Sequence, residues 1–309
     1  MRIVSLVPHA TELLFALGLG PQMVAVTHEC DHPPEALKLA RVTRDVLPAG
    51  LSAGEIDAAV RARTLAGQAI YELDRHALAA LAPELIVTQA LCPVCAVSYE
   101  DVAALAHELP GRPRVIALDP STLGETLADA HTLARATGHE RAGSALVERA
   151  SARIEAVRLA LAEAPRPRVA AIEWLDPVYV AGHWTPELIE LAGGHDVLGA
   201  AGGHSRTATW EELAAAKPEV VVVMPCGYDA PRAAREAGEH LERLAALGAR
   251  SVVAVDASAY FSRPGPRLID GLELLAHILH PELFPAAPPG AHAITLSLAS
   301  ARVQRRARA

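Results

Sequence analysis

Apolar residues fall along this chain in two patterns: short continuous runs of β-forming residues, and longer stretches in which they recur at helical spacing. Arg2-Ile-Val-Ser-Leu6 precedes the helical stretch Thr11-Glu-Leu-Leu-Phe-Ala-Leu-Gly18, and Arg168-Val-Ala-Ala-Ile172 precedes Pro186-Glu-Leu-Ile-Glu-Leu-Ala-Gly193. Each helix closes on a glycine, which adopts the left-handed conformation of a C-terminal cap without strain. Second strands follow at Met23–Thr27 and, more weakly, Asp196–Leu198. A helix running through proline into a buried strand occurs at Leu78–Val87 and again at Leu213–Val222, and Arg114–Asp119 pairs with Ser251–Asp256. Strands alternating with helices predict parallel sheets covered on both faces. The chain reads as two copies of one plan, an α/β fold of two doubly wound, Rossmann-like lobes.

The lobes are expected over residues 1–120 and 165–287. The first carries an insertion at about 46–71 that the second lacks, where Ser52-Ala-Gly-Glu55 has the pattern of a capping box opening a helix. The segment 121–164 is rich in Ala, Leu, Arg and Glu, with one break expected at Gly138 and an end at Pro165 and Pro167. Its second part predicts a long rigid helix joining the lobes, with a ligand cleft between them. Residues 288–309 are expected to form a tail, frayed over Arg302–Arg308.

Composition narrows the function. The 309 residues carry 28 basic and 36 acidic side chains, a formal charge of −8, which argues against a nucleic-acid partner. No stretch is apolar enough to span a membrane. Arg2 and the short run after it fall short of a secretory signal. A cytoplasmic location is therefore expected for the chain as it stands, and a periplasmic or cell-surface one if it is a mature form. Four cysteines make no disulfide framework at this length. The G-x-S-x-G, Walker and H-E-x-x-H patterns are missing, and Glu173 with Asp176 is a common acidic pair, so no enzymatic activity is expected.

In open parallel sheets, ligands bind beyond the C-terminal ends of the strands. Those ends hold Pro8-His9, Thr27–His32, Thr88–Cys95, Glu173–Asp176, Pro225–Tyr228 and Asp256–Arg263, and all four cysteines fall among them. Aromatics are 4% of the chain, yet Trp174, Tyr179, Trp184, Tyr228, Tyr260 and Phe261 gather on this edge, predicting an aromatic-lined cleft. Trp174 and Tyr179 suit stacking on a flat ligand or capping of a core. His183-Trp184 and His204 lie in loops as hydrogen-bonding groups or as solvated residues. Cys30, Cys92 and Cys95, with histidines nearby, have the residue types of a Zn or Fe site, or are half-buried thiols.

Taken together, Ser5-Leu-Val-Pro-His-Ala-Thr-Glu-Leu-Leu-Phe-Ala-Leu-Gly18, Val24-Ala-Val-Thr-His-Glu-Cys-Asp-His-Pro-Pro-Glu35, Leu81–Val87, Phe261–Arg267 and the helical connector resemble the helical-backbone (class III) substrate-binding proteins of ABC importers, above all those that bind cobalamin. The resemblance covers about residues 1–285. It implies a non-catalytic solute binder for a corrinoid, with no required cofactor, held by loops that here contain His28, Glu29, Cys30, Asp31, Gln89, Leu91, Cys92, Trp174, Tyr179, Tyr260 and Phe261; the loop residues His183, Trp184 and His204 join them as ligand candidates on their residue types. It also implies importer membrane subunits as partners, docked through one acidic residue on each lobe. Glu211 fills that position in the second lobe; His76 fills it in the first, leaving Glu72 or Asp74 as substitutes. The alternatives are metal, haem or ferric-siderophore binding through Cys30, Cys92 and Cys95, or a cytoplasmic corrinoid-salvage enzyme.

Overall fold

The computed structural model describes residues 1–90 and 97–298. Leu91, Cys92 and Cys95 and the Arg302–Arg308 end lie outside the described residues. Two compact units are present, one of Met1–Pro120 with Gly124–Glu148, the other of Ser121–Leu123 with Arg149 onward. The helical segment is thus divided: a helix Leu123–Thr137, a turn at Gly138 with φ +72°, and a helix Glu140–Ala160 within which the boundary falls.

The strands of the first unit are β1 (Ile3–Ser5), β2 (Met23–Val26), β3 (Ala40–Arg41), β4 (Thr43–Asp45), β5 (Tyr71–Leu73), β6 (Leu85–Thr88) and β7 (Arg114–Ala117). Five form one sheet in the order β3-β2-β1-β6-β7, parallel throughout. Alternate residues point to opposite faces, and both faces are apolar here. Ile3, Leu85 and Val87 pack with Leu13 and Leu14 of the helix Pro8–Ala16, with its capping residue Leu17 and with Leu133, whereas Val4, Leu6 and Ile86 pack with Leu78, Val102 and Leu105. In the insertion, β4 and β5 pair antiparallel around a helix Ala53–Leu65. The Ser52–Glu55 capping box opens that helix as the sequence predicts.

The second unit holds β8 (Arg168–Leu175), β9 (Val178–Val180), β10 (His195–Asp196), β11 (Arg206–Thr207), β12 (Val220–Val223), β13 (Ser251–Val255) and β14 (Ala293–Thr295). Its parallel core runs β10-β8-β12-β13, the same order as β2-β1-β6-β7. Both sheets therefore reverse winding direction beside their first strand, which defines a switch point in each unit. The α/β, doubly wound reading holds, with one correction: the second sheet is mixed. β8 runs on past Ile172 into an antiparallel hairpin with β9, which pairs antiparallel with β11. The expected tail also supplies β14, antiparallel to β13. Ala293-Ile-Thr295 is too short and exposed to stand out from a loop by pattern alone.

Candidate polar groups at the strand ends

In the first unit, the loop after β2 carries His28. Its Nδ1 lies 2.7 Å from Thr43 Oγ1, and its backbone N–H donates to that same oxygen at 3.0 Å. Thr43 Oγ1 is also 2.8 Å from Thr27 Oγ1. The Tyr71 ring lies 5.1 Å from the imidazole, and its hydroxyl donates to Glu29 Oε1 at 2.9 Å. The β4–β5 pair that brackets the insertion thus brings two residues, Thr43 and Tyr71, onto the His28–Asp31 loop. Neither is among the residues the sequence points to, although Tyr71 is one of only five tyrosines. Asp31 is exposed, and Gln89, just past β6, is buried.

Cys30 is 1% exposed within the core, with Sγ 3.0 Å from Thr11 Oγ1, which donates to Ser5 Oγ. Among the described residues no group of three His, Cys, Asp or Glu side chains could hold a metal.

In the second unit the polar set gathers around a bulge. Ile172 faces Val180 and Trp174 faces Tyr179, so Glu173 is the extra residue on β8, and such bulges re-aim side chains. The Glu173 carboxyl bonds to Ser205, and burial pushes its pKa up to about 7. Ser205 belongs to a loop seated on Gly182: a Cβ at 182 would collide with Ser205 N and Gly203 O. His183, at φ +52°, donates its backbone N–H to Gly203 O at 2.5 Å. Its ring stands edge-on to His204 at 5.3 Å, and burial, then His204, lower its pKa. Trp174 and Tyr179 are half-buried. The Trp174 ring meets Tyr228 edge-on at 5.4 Å, and its Nε1 is buried without a partner among the described residues.

Three other aromatic residues expected at the ligand, Trp184, Tyr260 and Phe261, are buried in the second unit. Trp184 is 6% exposed and donates Nε1–H to the Phe261 carbonyl at 2.7 Å; Phe261 is 3% exposed. Tyr260 is likewise buried, its carbonyl against Gly271, where any side chain would intrude. A chain with few aromatics spends these on its own core, which pattern reading could not separate from a ligand wall.

Of the acidic candidates, Glu211 is exposed at the second position of the helix Trp210–Ala215, opened by a Thr209–Glu212 capping box. Asp74 occupies the cap itself, accepting Ala77 N–H at 2.8 Å, and so corresponds to Thr209. Glu72 is paired with Arg44 at 2.5 Å.

The family model described as Periplasmic binding protein matches residues 3–258. The chain belongs to this family. The likeness to importer substrate-binding proteins read from the sequence is borne out, and the family is one of solute binders rather than enzymes. Its members serve ABC import, and no helix among the described residues is long and apolar enough to cross a membrane. A vitamin B12-binding protein of Vibrio cholerae is 58% identical over 41 residues, covering 13% of this chain and 15% of that relative. The chain thus matches well under a fifth of that curated relative's length. Among solved structures, the periplasmic vitamin B12-binding protein BtuF of Vibrio cholerae superposes with TM-score 0.65 at 22% identity, over 90% of this chain and 96% of that one. A periplasmic haem-binding protein of Pseudomonas aeruginosa gives 0.69 at 20% identity, over 96% and 95%. This periplasmic binding protein therefore shares its fold with binders of both corrin and haem.

Proposed function

We propose that this chain is a non-catalytic binder of a corrinoid, in the simplest case cobalamin, for uptake through an ABC importer or for intracellular handling. The observation that carries the reading is the short stretch of high identity to vitamin B12-binding proteins, set within a family of solute binders. The chemistry agrees with it. A corrinoid presents a broad apolar ring edged with amide groups, and a site for it needs apolar area plus a few fixed donors and acceptors. His28, Glu29 and Asp31 in the first unit, and His183 and His204 beside the half-buried Trp174 and Tyr179 in the second, are assigned that role. Gln89, Leu91 and Cys92 complete the assignment. Glu211 is assigned to importer docking, because it is an exposed acid in the first turn of a helix. No cofactor is needed for binding.

Haem is the second reading, favoured by the haem-binding neighbour of equal structural likeness. Calorimetric titration of the full chain with cyanocobalamin and, separately, with haem decides between them. One-to-one binding of cyanocobalamin at micromolar Kd or tighter, with haem weaker, is expected. Haem binding alone would replace the corrinoid reading, and conversion of the corrinoid to a new product would reinstate an enzymatic one.

A further inference from the structure

We propose that Thr27 and Thr43 form a two-hydroxyl relay that selects the Nε2-protonated tautomer of the His28 imidazole, so that His28 meets the solute as a hydrogen-bond donor and not as a ligand to its metal. The solute half of this statement rests on the corrinoid reading above; the tautomer is a property of the unliganded chain.

The argument is a count of hydrogens. Thr43 Oγ1 has three neighbours: the His28 backbone N–H at 3.0 Å, Thr27 Oγ1 at 2.8 Å and His28 Nδ1 at 2.7 Å. A hydroxyl offers one hydrogen and two lone pairs. The amide can only donate, so it takes one lone pair. One hydrogen and one lone pair remain for Thr27 and the imidazole. If Nδ1 carried the proton it would fill that lone pair, and Thr43 would donate to Thr27. The Thr27 hydrogen would then have no acceptor among the described residues, because its only other side-chain neighbour is Nδ1 itself, at 3.4 Å. Thr27 is buried, and an unmatched buried donor disfavours that arrangement by roughly tenfold or more. In the opposite order Thr27 donates to Thr43, Thr43 donates to Nδ1, and every hydrogen is used.

That order puts the proton on Nε2. The ring cannot turn freely to exchange its nitrogens, since Tyr71 lies against it and is itself tied to Glu29. Among the described residues nothing hydrogen-bonds to Nε2, and His28 is half-exposed. The lone pair that a metal would require sits on Nδ1, occupied by Thr43. What remains for the solute is an oriented N–H, suited to an amide carbonyl at a corrin edge or a haem propionate. Thr43 acts through His28 and is a positioning residue.

Nitrogen-15 NMR of the histidine side chains, on the full unliganded chain in mildly alkaline buffer, tests the relay directly, with His28 assigned by the signal lost in His28→Gln. A protonated-type Nε2 and an unprotonated-type Nδ1 are expected; the reverse assignment overturns the proposal. Thr43→Ser should keep this tautomer and Thr43→Val should lose the preference, and an unchanged tautomer in Thr43→Val also overturns it. Titration with aquocobalamin tests the donor role. Affinity should fall about three- to tenfold in His28→Ala and stay within about threefold in His28→Gln, which retains a donor. A cobalt absorption shift on binding that is present in the native chain and lost in His28→Ala shows coordination and sinks the proposal. If neither aquocobalamin nor haem binds, the solute reading falls, while the NMR result still decides the relay.

Discussion

The indole of Trp184 and the backbone of Phe261, 77 residues apart in sequence, are joined by a buried 2.7 Å hydrogen bond from Nε1–H to the carbonyl. It ties the start of the helix Thr185–Leu191 to the loop after β13. Trp184→Phe keeps most of the apolar volume but leaves that carbonyl unpaired, and a loss of about 1–3 kcal/mol is expected on denaturant unfolding. A change within error would show that the bond contributes no net stability.

Trp174→Phe should behave differently although it is the same substitution ten residues away. The Trp174 Nε1 is already buried without a partner among the described residues, so its removal takes away no bond. Stability is expected to hold within about 1 kcal/mol or to rise. A loss as large as that of Trp184→Phe would show that this donor has a partner in solution.

Glu173 gives the stability a defined pH dependence. Its folded pKa of about 7 lies above the value of about 4.3 for an exposed glutamate. Below the unfolded value both states hold the proton and there is no penalty. As pH rises towards 7 the unfolded chain ionises first and the fold weakens, by up to about 4 kcal/mol once the folded carboxyl has also ionised. Asp129, raised to about 7 by burial and by Asp119 and Glu125, acts in the same window. Glu173→Gln should match the native chain near pH 4 and exceed it near pH 8. Unfolding curves that stay parallel across this range would place the Glu173 pKa in the ordinary range.

The two described cysteines should differ in reactivity. Cys226 is exposed and Cys30 is enclosed beside Thr11. Brief treatment with a thiol-alkylating reagent, read by peptide mass spectrometry, should modify Cys226 and spare Cys30 until denaturant is added. Early labelling of Cys30 would reveal local opening of the loop after β2.

Gly182→Ala should cost several kcal/mol, because the new methyl meets the backbone of Gly203–Ser205, which cannot move aside as a flexible side chain can. The same shift would carry His204 and Ser205 away from His183 and Glu173. A fall in thermal midpoint of less than a few degrees would mean that the loop gives way readily.

The duplicated plan was legible because it rests on local signals: glycine-ended helices, proline before a buried strand, and the Ser52 capping box. The strand order was not read from the repeat, although the parallel cores of both units share it. The β8–β9 hairpin and β14 were not legible, since antiparallel partners of three residues leave little periodicity. At the candidate site, His28 and its loop were found because they are polar residues at a strand end. Thr43 and Tyr71 are not legible as its partners, because the pairing of β4 with β5 sets them beside that loop from 15 and 43 residues along the chain, a separation no local pattern spans. Spacing along the chain places Trp184 and Phe261 on one edge of a sheet, but does not show that the Trp184 indole is bonded to the Phe261 carbonyl.

The pairing of β14 with β13 also bears on how this protein is handled. β13 is Ser251-Val-Val-Ala-Val255, buried almost throughout, and β14 covers the backbone donors and acceptors along its outer side. An uncovered apolar strand of this kind is a template for another chain. Shortening the protein at Gly290 would therefore turn a sheet interior into a sticky margin, and recombinant chains cut there should precipitate or self-associate even though the remaining fold is intact.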